Sequence, residues 1–144
     1  MKSNKFFMKA QLDDGAKMPK KAHEQDAGYD LFSRETKVVP AGGSQTFDTG
    51  VHIAIEPGVA GILFSKSGLN VNHSITSTGV IDSGYTGSII VKLYNHGEED
   101  YTVTEGDKIS QIIFFPILPY SFMKVKELEQ DTERGDNGFG STGR

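Results

Sequence analysis

Residues 49–64 read "TGVHIAIEPGVAGILF", two apolar runs on either side of Pro57-Gly58. In the first run Val51, Ile53 and Ile55 alternate with His52, Ala54 and Glu56, the period of a strand with one buried face. Pro57-Gly58 suits a tight turn, and residues 60–64 follow as a second strand. The chain therefore reads as a meander of short strands rather than as helices.

The same punctuation extends in both directions. Seventeen glycines separate runs rich in Val, Ile, Phe and Thr, and strands are expected at residues 6–11, 29–33, 36–39, 44–55, 60–64, 79–81, 87–95, 101–103 and 108–116. One short helix is expected at 68–73 with Ser67 as its N-cap, and a short turn at 124–130. There is no internal repeat and no alternation of strands with long helices, which argues against doubly wound nucleotide folds. The expected fold is all-β, a jelly-roll-like distorted β-barrel with one short helix and a flexible C-terminal arm. Residues 1–133 are read as the barrel domain. From Arg134 the periodicity stops, and four glycines in the last eleven residues leave little apolar surface to offset chain entropy.

With 144 residues, one domain with a real core is expected. The net charge is -4 and the basic residues are dispersed, which argues against a nucleic-acid partner. The absence of cysteine excludes disulfides and thiolate metal sites, while His23, His52, His73 and His96 lack metal-ligand spacing. No run approaches the ~18 apolar residues of a membrane span, so a cytoplasmic protein without a membrane partner is expected.

Four stretches could carry chemistry. In "GVIDSGYTG", residues 79–87, Asp82 ends an apolar run and either initiates a hairpin turn or serves as a general base; Tyr85 is by default a packing residue. In "FSKSGLN", residues 64–70, Ser65, Lys66, Ser67 and Gly68 form either a capped helix start with a solvated lysine or a phosphate cradle. In "GDKISQIIFFP", residues 106–116, the Gln111 amide needs a partner, either a neighbouring strand or a ligand phosphate, because leaving it unpaired costs ~1–3 kcal/mol. In "AGYDLFS", residues 27–33, Asp30 reads alone as an edge or surface acid. The tail "RGDNGFGSTGR" contains an Arg-Gly-Asp tripeptide that matches by chance in a cysteine-free chain, and it lacks the lysine and following helix of a Walker loop.

Taken in order, "AGYDLFS", "SKSGL", "GVIDSGYTG", "GDKISQIIF" and "RGDNGFGSTG" closely resemble the five motifs of the trimeric dUTPases, over residues 27–143. The resemblance implies Mg²⁺-dependent hydrolysis of dUTP to dUMP and pyrophosphate in a homotrimer with shared active sites. It implies Asp82 as the base activating water for attack on the α-phosphorus. It further implies uracil and deoxyribose recognition by Gly79, Val80, Ile81 and Ile90, with Tyr85 under the sugar. Lys66, Ser67, Gly68 and Gln111 would contact phosphates, and Asp30 would lie near the water shell of a Mg²⁺ that has no direct protein ligand. In the arm, Phe139 and Gly140 would cover uracil, with Arg134, Ser141 and Thr142 near the phosphates, so that residues 134–144 close over the site.

Three positions depart from the family pattern: Lys66 replaces a usual arginine, Gly84 a usual acid and Thr86 a common arginine. The lysine exchanges a bidentate fork for a point charge. Two alternatives remain at this point, a dCTP deaminase of the same superfamily and a trimeric module that captures a regulatory protein. The sequence itself does not indicate such a partner.

Overall fold

The computed structural model describes residues 6–129, 131–140 and 143. Along the chain lie β1 (Ala10–Leu12), β2 (Tyr29–Phe32), β3 (Lys37–Val39), β4 (Ser44–Asp48), β5 (Val51–Ile53) and β6 (Val59–Phe64). Then come α1 (Ser67–His73), β7 (Ile75–Thr76), β8 (Gly79–Ile81), β9 (Ile90–Asn95), β10 (Tyr101–Val103) and β11 (Lys108–Pro116). The fold is all-β with one short helix, of the jelly-roll-like kind expected from the sequence.

Strand pairing explains the arrangement. β11, rich in Ile and Phe, is paired antiparallel on both edges in a four-stranded sheet ordered β2-β11-β6-β8. A second sheet runs β4-β9-β7, and β1-β5 and β10-β3 form two further pairs. β9 shows the alternation of a one-sided strand: Val91, Leu93 and Asn95 point inward while Ile90, Lys92 and Tyr94 point outward. The core gathers Leu31, Val39, Phe47, Val51, Leu63, Ile75, Ile89, Val91, Leu93, Val103, Ile109 and Ile112 from both sheets and both pairs. Burying each such side chain contributes roughly 1.5–3 kcal/mol.

Several expected boundaries move. The strand expected at 44–55 divides because Thr49 turns its backbone N–H and its hydroxyl onto the Ile89 carbonyl, at 3.1 and 2.7 Å, which ends β4 before β5 begins. Residues 6–9 carry no strand, and pairing begins only where Ala10 meets Ile53. The two-residue β7 was not foreseen; it pairs with the end of β9. Ser67 is not the N-cap: Lys66 holds that position in extended conformation without a side-chain cap bond, and Ser67 is already helical. Residues 124–129 hold a bend and no helix, and regular structure among the described residues ends at Pro116.

Asn95 is the one buried amide on β9, and it is fully engaged. Its Nδ2 donates to the Val39 and Glu99 carbonyls at 3.0 and 2.8 Å, and its Oδ1 accepts from Gly97 N–H at 2.9 Å. Replacement Asn95→Ala should lower unfolding free energy by about 1–3 kcal/mol, since buried backbone groups lose their partners. Denaturant unfolding checks this, and an unchanged midpoint would contradict it.

Candidate active site

The motif residues assemble in two groups. At one end of the large sheet, Asp30 on β2, Gln111 on β11 and Phe64 on β6 are cross-strand neighbours, and β6 continues into Ser65 and Lys66. A β-bulge at Ile109 sets this register: Lys108 lies opposite Phe32 and Ser110 opposite Leu31, so β11 gains a residue and Gln111 reaches Asp30.

Asp30 is buried, contrary to its reading as a surface acid. One carboxylate oxygen bonds to Lys66 Nζ, and the other lies 3.3 Å from Lys108 Nζ. The two ammonium groups compensate a charge that would otherwise be costly to bury. Gln111 Nε2 donates to the Ser65 carbonyl at 3.0 Å, so in this state the amide closes the β6–β11 edge. Beneath it, Ser77 and Ser110 share a hydrogen bond of 2.8 Å, Ser110 donates to the Phe64 carbonyl, and Ser65 Oγ accepts from Ser77 N–H. These serines fix the point where β6 leaves the sheet. Ser67 and Gly68, in the first turn of α1, face solvent.

The second group starts along the middle of β6, on the edge opposite β11. β8 is the edge strand of its sheet, paired with β6 alone, so the outer peptide groups of Gly79, Val80 and Ile81 have no strand partner. Asp82 follows in a turn closed by Tyr85 N–H to the Asp82 carbonyl at 3.2 Å. Gly84 has φ +87° at the third position of this turn, a conformation that side chains resist and glycine accepts. The turn thus accounts for a glycine where the resembling family usually carries an acid. Tyr85 Oη donates to the Ser88 carbonyl at 2.9 Å, and a Cβ at Gly87 would sit only 2.5 Å from that oxygen. The ring is therefore laid across Gly87. Val80 and Ile90 expose large apolar surface beside it.

This loop is tied to the barrel at two places. Ser88 Oγ donates to the Asp48 carboxylate and accepts from Gly50 N–H at 3.0 Å. Ser88, the Gly50 amide and Arg34 together hold the Asp48 carboxyl below its ordinary range, against a smaller opposing effect of burial. His52 Nδ1 lies 2.8 Å from the Thr86 carbonyl and its Nε2 lies 3.0 Å from Asp13. The Thr86 carbonyl and then Asp13 raise the imidazole above its ordinary range.

The tail stands apart from both groups. Arg134 bonds to the Asn137 and Gly138 carbonyls at 2.9 and 3.4 Å, Gly140 is left-handed, and Phe139 is fully exposed. Ser141 and Thr142 lie outside the described residues. A concavity of about 650 Å³ contains none of the site residues expected from the sequence; Tyr29, Ile53, Ile112, Phe114 and Phe115 line it. Lys108, Ser110, His52 and Asp13 were not singled out from the sequence. Ser110, a hydroxyl inside an apolar run, was the one such residue with a readable signal.

An all-β barrel presenting an edge strand, an acid-bearing turn and a lysine-rich corner has the layout of a nucleotide hydrolase. A sequence model of the dUTPase family matches residues 14–143. The chain is 45% identical over 135 residues to the deoxyuridine 5'-triphosphate nucleotidohydrolase of Clostridium acetobutylicum, covering 92% of each chain. Its structure resembles that of the Staphylococcus bacteriophage 80alpha dUTPase with dUPNHPP, with TM-score 0.90 and 30% identity over 96% of this chain and 99% of that one. It also resembles a mutant dUTPase from phage phi11 of Staphylococcus aureus in which a structural Mg(II) ion is coordinated, with TM-score 0.80 and 28% identity over 86% and 99% of the two chains. The chain belongs to the dUTPase family, the dUTP diphosphatases.

The Asp30 cluster yields a stability prediction independent of catalysis. Asp30→Asn should destabilise the fold by about 1–3 kcal/mol, because the buried acceptor of two ammonium groups is weakened. Lys108→Met should cost under ~1 kcal/mol, since Lys108 is 45% exposed and its pairing is screened. Denaturation of both variants decides the order.

Proposed function

We propose that the enzyme hydrolyses dUTP to dUMP and pyrophosphate with Asp82 as the general base. The observation that carries this reading is the state of the two aspartates expected at the site, Asp30 and Asp82. Asp30 is engaged by two lysines, whereas the exposed Asp82 carboxylate has no hydrogen-bond or ion-pair partner among the described residues. A base must lie within hydrogen-bond reach of the water it deprotonates, and of these two only Asp82 is open to one.

The unpaired edge of β8 offers uracil a row of peptide donors and acceptors, and the Tyr85 ring provides a flat floor for deoxyribose against Gly87. Lys66, Ser67, Gly68 and Gln111 hold the triphosphate, Lys66 and Gln111 first exchanging their present partners for phosphate oxygens. Arg134, Phe139, Gly140, Ser141 and Thr142 close over the nucleotide and exclude bulk water. Such a substrate belongs to intracellular nucleotide pools, in keeping with a cytoplasmic setting.

Among the described residues, three or more His, Asp or Glu side chains do not come together as a metal cage. Asp30, with both oxygens engaged, is not free to hold a resident ion. The described residues of one chain therefore offer an ion at most the Asp30 oxygen that Lys66 releases, and an ion that assists is carried chiefly by the triphosphate and its waters, the usual habit of this cation.

The site is completed by other copies of the chain. Ile81 pairs with Gly61, and β6 runs three residues further to Phe64, roughly 10 Å, before the chain leaves the sheet toward Lys66. In one subunit Asp82 and the lysine corner thus lie toward opposite ends of the β6–β8 pairing, and the proposed site draws them from different subunits. The apolar groove over β11 and the exposed Ile117, Leu118, Tyr120 and Phe122 supply surface for a homotrimer to cover.

Asp82→Asn should retain an unhydrolysable dUTP analogue but lose turnover by roughly 10²-fold or more, measured as pyrophosphate release; full activity would remove Asp82 from the mechanism. Mixing Asp82→Asn chains with Lys66→Ala chains under exchange conditions should restore activity beyond the sum of the two separate variants. Simple additivity would place both halves of each site on one subunit.

A further inference from the structure

We propose that protonated His52 is a positioning residue for the loop at residues 82–87, clamping it to the barrel through the Thr86 carbonyl. This deepens the reading above, since it rests on Asp82 and Tyr85 being the residues that the loop presents.

The geometry is that of a ring between two acceptors. Nδ1 faces the Thr86 carbonyl at 2.8 Å and Nε2 faces the Asp13 carboxylate at 3.0 Å. Neither partner has a proton to give, so both hydrogen bonds exist together only when both ring nitrogens carry hydrogen. A neutral ring keeps one bond, the stronger one from Nε2 to the charged Asp13 carboxylate, and turns the Nδ1 lone pair toward the Thr86 carbonyl.

The location gives the clamp its importance. Within residues 82–87 the other hydrogen bonds are local: Tyr85 N–H to the Asp82 carbonyl and Tyr85 Oη to the Ser88 carbonyl. Among the described residues, His52 is the one side chain from outside the loop that bonds to this span. Ser88 is fixed separately by Asp48 and Gly50, so the far end of the loop is held whatever His52 does. Losing the His52 bond therefore frees the turn while leaving its base attached.

The charges around the ring favour the cation. Asp13 comes from the segment after β1 and Asp48 from the end of β4; Asp48 is itself paired with Arg34 at 3.2 Å. Gln11, opposite His52 on β1, is neutral. The folded-state pKa of His52 is raised above its ordinary 6.5 by the Thr86 carbonyl and Asp13. The clamp is thus fully formed below that ordinary value and is released as pH rises through the raised one.

Two measurements on the full-length enzyme test this. In NMR titrations, the His52 ring signals and the backbone amides of Tyr85, Thr86 and Gly87 should move with one shared midpoint above 6.5, and Asp13→Asn should bring that midpoint down. Across the same pH range, KM for dUTP should rise about 2- to 10-fold with a smaller change in kcat, the size of one lost hydrogen bond. His52→Ala should show the raised KM at every pH and lose this limb. Loop amides that ignore the His52 titration, or a limb that survives in His52→Ala, would overturn the clamp. Because the NMR titration needs no turnover, it can succeed even if the role of Asp82 is refuted, so the two failures are distinguishable.

Discussion

The pairing of β6 on both edges is the constraint from which the rest follows. β11 lies against one side of it over six residue pairs and β8 against the other over three, so β6 can neither slide nor turn over. Its C-terminal end delivers Ser65 and Lys66 to the corner where Asp30 and Gln111 wait, while its middle holds Gly79–Ile81 and so aims the turn that follows. One rigid strand thus sets the orientation of both halves of the site and the distance between them.

Electrostatics divides labour among similar side chains. Asp30 is buried and held by two lysines, Asp48 fixes Ser88 and Arg34, and Asp13 holds His52. Asp82, in a turn whose backbone is already satisfied by Tyr85, remains open to solvent. Similar chemistry in different surroundings yields three carboxylates held by partners and one left open, and sequence alone cannot separate them.

Much of the fold was legible because its signals are local. The alternation in residues 49–56, the Pro57-Gly58 turn and the apolar run of β11 each report their own strand. What escaped depends on partners remote in sequence. The break at Thr49 requires the Ile89 carbonyl, β7 exists because β9 lies alongside, and Lys66 takes the N-cap position that Ser67 was expected to fill. The same division holds at the site. Ordered motifs brought Asp30, Lys66, Asp82, Tyr85 and Gln111 into view, but the bulge at Ile109 that aligns Gln111 with Asp30 leaves no local mark. The His52 contact joins residues 34 positions apart, and no pattern in either segment announces it.

The departures from the family pattern become intelligible together. Gly84 meets the left-handed geometry of its turn, which relieves strain an acidic side chain there would impose. Thr86 contributes its carbonyl, a group any residue at that position would supply, so the tie to His52 depends on the histidine and on backbone geometry rather than on the threonine side chain. Lys66, lacking a guanidinium fork, places one ammonium group on one oxygen of Asp30 while Lys108 occupies the other. Under the proposed phosphate role, an incoming phosphate competes with a buried carboxylate for Lys66, and Lys108 keeps Asp30 compensated once Lys66 has left. The second lysine makes the exchange feasible: without it, substrate capture would strand a buried negative charge beside the triphosphate.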